Sequence, residues 1–299
     1  MTLCIAAVCD DGPENDPKIV LCADFQKQTE GIGECETEDK VGFVKHGWPA
    51  LIAGTITRAN DLLNVYAAHF SNAQQDINQY TLMDHLRAPA HLQKEKLVDE
   101  YLRQSYAFDR NYFYGDGAQH LPETFITKVA FDIERIKLDA SLLICGFLDE
   151  TNFADNSVSA RPFLGLIDEY QSASSSQEYV RIETEFAAIG SGSYTALSTL
   201  YRRSQESTDS LSKTIYNIWE ANRLSESVPG VGKEYVSIYV LHKDGKLDEF
   251  NQDGYKHLRK LYKKYGPKDI TSNHESDLLV KSAFFEDVTA TPSVRITSM

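Results

Sequence analysis

Cysteine is scarce in this chain. Of 299 residues only five are Cys: Cys4, Cys9, Cys22, Cys35 and Cys145. The odd number and the lack of any CxxC step argue against a disulfide framework and against a cysteine metal cluster. Four of the five lie in or beside short apolar runs, where a free thiol behaves as a small hydrophobe. The expectation is buried, reduced thiols in a cytoplasmic protein. Long apolar runs are missing as well. No stretch approaches the roughly 20 residues needed to cross a bilayer. The run Leu3–Val8 lacks a basic leader, is too short for a signal h-region and stops at Asp10-Asp11, so a secretory signal is not expected. Positive charge is in deficit, with 30 Lys and Arg against 44 Asp and Glu and a formal net charge of -14. Such a surface repels phosphates, so neither nucleic acid nor an anionic membrane is an expected partner. The eight His form no HExxH or paired-ligand pattern, and no metal or other cofactor is expected.

What remains is ordinary globular composition, 42% hydrophobic and 25% charged. Two apolar strands, Leu3–Cys9 and Lys18–Asp24, flank the turn-forming stretch Asp10–Pro17 and read as a hairpin with a long loop. Strands follow at Lys40–Val44 and Pro49–Ala53. Apolar residues at helical spacing then mark Ile56–Phe70, and a second helical pattern, Leu82–Tyr106, is expected to break near Pro89. Asp109–Pro122 reads as an irregular insertion, and Ile133–Leu138 as either more helix or the start of a strand. Strand signals return at Ala140–Phe147, Pro162–Ile167, Tyr179–Ile182 and Phe186–Ile189. Helices are expected at Tyr194–Arg203 and Leu211–Ser225, strands at Tyr235–Leu241 and Leu247–Phe250 across a DG turn, and a basic helix at Tyr255–Tyr265. The basic helix reads as a solvated face or a partner patch. Strands and helices in separate blocks indicate α+β layering, with two antiparallel sheets between helical layers as one domain.

Three residues could carry chemistry. Removal of Met1 gives Thr2 both a hydroxyl and a free α-amine, whose ordinary pKa of about 7.7–8.0 lets it act as a base near neutral pH. A threonine hydroxyl is a poor nucleophile without such a base. Asp24 ends an apolar strand, where a carboxylate is costly unless paired. Lys40 opens the next strand after the acidic run Glu34–Asp39. A Lys beside the amine favours its neutral form by like-charge repulsion, and Asp24 would orient that Lys. The same Asp and Lys also fit an ordinary salt bridge between strand ends.

The ordered set of motifs resembles proteasome β-type subunits. Thr2–Val8 and Ile19–Asp24 look like the opening hairpin of that family, and Lys40 follows Asp24 at the family's sixteen-residue step. Leu51-Ile52-Ala53-Gly54 before a helix resembles the strand–turn–helix that supplies its oxyanion-hole amide. Ala188–Ser193 resembles the strand ending in GSGS, and Tyr235–Gly245 the late strand ending in a KDG turn. The resemblance implies a four-layer αββα sandwich of the N-terminal-nucleophile hydrolase type spanning 1–299. A helical insertion would occupy about 71–138, and a C-terminal extension about 266–299. It implies Thr2 as nucleophile, Asp24 and Lys40 as the charge pair that tunes it, the Gly54 amide at the oxyanion and Ser191 near the α-amine. The family's late Asp–Ser pair has no direct counterpart in Leu224–Gly230, where Glu226, with Ser227 beside it, is the candidate. The function implied is threonine-type hydrolysis of a peptide or amide substrate by a homo-oligomer, with an unfoldase as a possible partner. A small-amide amidase and a non-catalytic ring subunit are the alternatives. Ring subunits of that second kind carry an extension ahead of the first strand, which is not seen here.

Overall fold

The computed structural model describes residues 2–10, 16–24, 26–29, 33–36, 40–73, 77–151, 158–168, 180–229, 231–232, 236–265 and 284–287. The N-terminal strands are β1 (Leu3–Asp10), β2 (Pro17–Asp24), β3 (Gln26–Thr29), β4 (Gly33–Glu36), β5 (Val41–Lys45) and β6 (Trp48–Gly54). Four helices follow, α1 (Ile56–Asn72), α2 (Leu82–Tyr106), α3 (Arg110–Tyr114) and α4 (Glu123–Glu134), with a 3-10 turn at Asp116–His120. Next come β7 (Ala140–Thr151), β8 (Val158–Ile167), β9 (Val180–Glu183) and β10 (Phe186–Gly190), then α5 (Ser193–Arg202) and α6 (Leu211–Ser225). The chain continues through β11 (Val236–Leu241), β12 (Leu247–Phe250), α7 (Gln252–Tyr265) and β13 (Phe284–Asp287).

The strands build two antiparallel sheets, ordered β10-β1-β2-β11-β12-β13 and β5-β6-β7-β8-β9, with β3-β4 as a separate ribbon. The apolar runs are continuous because most of these strands are covered on both faces, as strands buried on two sides require. In β1 the odd residues Leu3, Ile5, Ala7 and Cys9 pack with Leu200, Ile215 and Trp219 of α5 and α6. The even residues Cys4, Ala6 and Val8 instead meet Leu51, Leu143 and Leu164 of the other sheet. The far face of that second sheet, through Ala50, Leu142 and Ile144, packs on Leu62 and Tyr66 of α1 and Leu86 of α2. Helices, sheet, sheet and helices thus lie in four successive layers.

Several boundaries depart from the sequence expectations. Helix α2 is unbroken through Pro89, which is buried inside it. Pro89 lacks the N–H that the carbonyl four residues back would accept. The Tyr66 hydroxyl donates into this turn, to the Leu86 carbonyl at 2.5 Å, and Leu82, Leu86 and Ala90 anchor it on the second sheet. The stretch 109–122 is ordered as α3 and the 3-10 turn, and α4 precedes β7 where the pattern left helix and strand open. These elements share a small core of Val98, Leu102, Phe113 and Val129. Helix α7 buries Tyr255 and Leu258 while Lys256, Arg259, Lys260 and Lys263 face outward. Most of the expected C-terminal extension and most of the long loop after β1 lie outside the described residues. Among the described residues no helix is long and apolar enough to cross a membrane.

Leu51 is fully buried between the sheets. Leu51→Ala should therefore lower stability by about 2–5 kcal/mol in urea denaturation. Tyr194→Ala, at a side chain 83% exposed, should change it by no more than about 0.5 kcal/mol.

Candidate active site

Three chain segments meet at one end of the sandwich. Thr2 precedes β1, Asp24 is the last residue of β2, and Lys40 stands immediately before β5; all three are buried. The Thr2 hydroxyl donates to Asp24 Oδ1 at 2.6 Å and accepts from Lys40 Nζ, which also pairs with Asp24 Oδ1. The second carboxylate oxygen, Oδ2, accepts the Gly232 backbone N–H at 2.8 Å. A carboxylate with no solvent exposure is tolerated only with such a set of donors. The hydroxyl is thus fixed between a cation and an anion.

The neighbouring backbone is shaped by two glycines. Gly190 ends β10 with φ +94°, and a Cβ there would stand 2.2 Å from the Thr2 carbonyl oxygen, which no side chain permits. This close approach lets the Ser191 hydroxyl donate to the same carbonyl at 3.3 Å. Gly54 ends β6 with φ +103°, and a Cβ would lie 2.5 Å from the Asp139 carbonyl oxygen. The Ile52 N–H donates to the Lys40 carbonyl at 2.9 Å, and the Ile52 carbonyl accepts from Cys4 Sγ at 3.5 Å. Ile52 therefore bridges the Lys40 segment and β1, with Gly54 two residues, or about 7 Å, further along the strand.

Glu226 lies at the C-terminal end of α6 and accepts from Arg223 Nη1 at 2.6 Å, and the Ser227 hydroxyl donates to the Leu224 carbonyl at 3.0 Å. The α6 residues that face inward here are Asn222 and Ser225, both buried. The Ser225 hydroxyl bonds the Ala221 carbonyl at 2.8 Å and lies 3.4 Å from the Gly192 carbonyl, tying α6 to the turn after Gly190. Asn222 Nδ2 has no hydrogen-bond partner among the described residues. Asn222 lies outside the stretch Leu224–Gly230 read from the sequence and Ser225 inside it; the register of α6 sets the two three apart on one face. Gly232 was missed, because nothing local ties it to a carboxylate 208 residues away.

The four cysteines whose side chains are described are not placed as competing nucleophiles. Burial pushes the Cys22 and Cys145 thiols well above their ordinary range, so both stay protonated. Cys4 and Cys9 are buried and their thiols contact backbone carbonyls. His85 sits on α2 with Nδ1 3.0 Å from His69 Nε2, and His91 lies 3.3 Å from Glu95. Among the described residues no three His, Cys, Asp or Glu are grouped to hold a metal ion. The chain matches no family model, and no curated protein matches it.

Lys40→Ala leaves the Asp24 charge buried without its cation and should cost about 3–5 kcal/mol of stability. The double variant Asp24→Ala/Lys40→Ala should lose less than the two singles together, with a coupling of about 0.5–3 kcal/mol in a denaturation cycle. Strict additivity would show that the two side chains do not act as a pair.

Proposed function

We propose that this chain is an N-terminal-nucleophile amide hydrolase with the four-layer αββα fold of proteasome-like proteins, acting on a peptide or amide substrate. The observation that carries the reading is the Thr2 hydroxyl held between Asp24 Oδ1 and Lys40 Nζ. The two sheets, the helical layers outside them and the position of Thr2 at the mouth of β1 support the fold assignment.

Removal of Met1 frees the Thr2 α-amine. The O–H turns from Asp24 to the amine, which takes the proton as Oγ1 attacks the substrate carbonyl carbon, the base and nucleophile belonging to one residue. Lys40 offers a positive charge to the developing alkoxide, and Asp24 fixes Lys40 in place. The Gly54 amide is the donor assigned to the oxyanion of the tetrahedral intermediate; one such donor is worth roughly 3–4 kcal/mol. Collapse of the intermediate breaks the C–N bond, and the leaving nitrogen takes the proton from the α-amine. The acyl group is then an ester on Oγ1. Water, deprotonated by the same amine, attacks the ester and releases the acid with the hydroxyl restored. Ser191, bonded to the Thr2 carbonyl, holds the residue that carries both reacting groups.

Purified protein treated with a β-lactone probe should show an intact mass lacking Met1 and raised by one acyl group. Thr2→Ala should abolish the label and lower amide hydrolysis at least about 10³-fold, and Thr2→Ser should keep both. Label persisting on Thr2→Ala removes Thr2 from the chemistry. A retained Met1 with no label favours the non-catalytic ring subunit.

A further inference from the structure

The helical insertion carries an open, solvent-facing groove of about 690 Å³, lined by residues that the chemistry proposed at Thr2 does not use. Its wall is aromatic: Tyr106, Phe108, Tyr112 and Phe125 all line it. The rings lock one another in place. Tyr106 stacks on Phe108 at 5.7 Å, Phe125 and Tyr106 meet nearly perpendicular at 5.4 Å, and Tyr112 leans on Phe108 at 5.5 Å. Tyr106 is further fixed by its hydroxyl, which donates to Asp132 Oδ2 at 2.8 Å. That carboxylate, and next the Tyr101 hydroxyl, push the phenol above its ordinary range.

The surroundings of this wall are negative. Ala107, also in the lining, is the left-handed residue that ends the 25-residue helix α2. The groove thus sits at a helix C-terminus, where the macrodipole amounts to roughly half a negative charge. Asp109 lies on the rim; its Oδ1 accepts the Tyr112 N–H at 2.8 Å and caps α3. The one cation in the lining, Arg103, is paired with Asp99 at 2.8 Å. A neutral apolar guest would fill such a groove without drawing on the carboxylate or the helix end. A positively charged apolar guest uses both, and also those rings of the wall whose faces are not taken up by stacking, as that of Phe108 is by Tyr106 and Phe113.

We infer that this groove binds an organic cation with a quaternary or methylated ammonium head. The site does not depend on the reading of Thr2. Its ligand chemistry has two sources, a free small molecule or a methylated lysine on another protein.

The experiment titrates the full chain with choline and, in parallel, with 3,3-dimethylbutan-1-ol, in which carbon replaces the charged nitrogen at the same shape. Calorimetry or ligand-observed NMR should show saturable choline binding, with the neutral alcohol about tenfold weaker or more. Asp109→Asn keeps the helix cap, because Asn caps as well as Asp, and should weaken choline several-fold with an unchanged far-UV spectrum. A trimethyllysine peptide that binds more tightly than choline assigns the head group to a protein; equal or weaker binding assigns it to the free cation. Equal affinity for choline and the alcohol, or no saturation by either choline or the peptide, overturns the inference. So does an Asp109→Asn variant that binds choline as the parent does.

Discussion

One buried carboxylate organises the end of the molecule that holds the candidate site. Asp24 is fully sequestered, yet it receives the Thr2 hydroxyl, the Lys40 ammonium and the Gly232 amide. Each donor comes from a different part of the chain: the start of β1, the approach to β5 and the approach to β11. Stranding that charge without its partners costs several kcal/mol. The requirement therefore fixes three segments relative to one another, and it sets the orientation of the Thr2 side chain before any substrate arrives. A fixed oxygen position of this kind is what the proposed attack by Thr2 would require.

The frame around the carboxylate is built to hold such geometry. β1 is central to the first sheet, paired with β10 on one side and β2 on the other, and its side chains fill the helix-facing and the sheet-facing cores alternately. Gly190 permits the backbone of β10 to press against Thr2, so Ser191 reaches the Thr2 carbonyl. Helix α6, buried on nearly every side, seats Ser225 against the Gly190–Ser193 turn. Site residues held by strands and a packed helix keep their positions better than residues on free loops.

Much of this was legible in the sequence because it is local. Continuous apolar runs bounded by turn residues mark β1, β2, β6 and β7 within a few positions, and the strand-end Asp24 and strand-start Lys40 announce themselves as charges in apolar surroundings. What stayed hidden depends on distant partners or on register. Pro89 in an amphipathic pattern reads as a break, but the packing of Leu82, Leu86 and Ala90 and the Tyr66 hydroxyl keep α2 whole. Near the end of α6 the sequence offers Glu226 as a charge; its pairing with Arg223 and the burial of Asn222 and Ser225 beside it depend on the register of the helix. The role of Gly232 follows from a backbone amide, which no side-chain pattern reveals. The aromatic cluster of the insertion was not legible as a unit, because Tyr106, Phe108, Tyr112 and Phe125 are brought together only where the end of α2 meets α3 and α4.

The central claim is that the Thr2 oxygen, set between Asp24 and Lys40, becomes the attacking atom once its own amine is free. A crystal structure of the mature protein soaked with a peptide boronate tests it most directly. The account requires density that begins at Thr2, with a tetrahedral boron bonded to Oγ1 and the amine within hydrogen-bond reach of the adduct. Density continuous from Met1 with no boron on Oγ1, or boron bound to any other side chain, contradicts it.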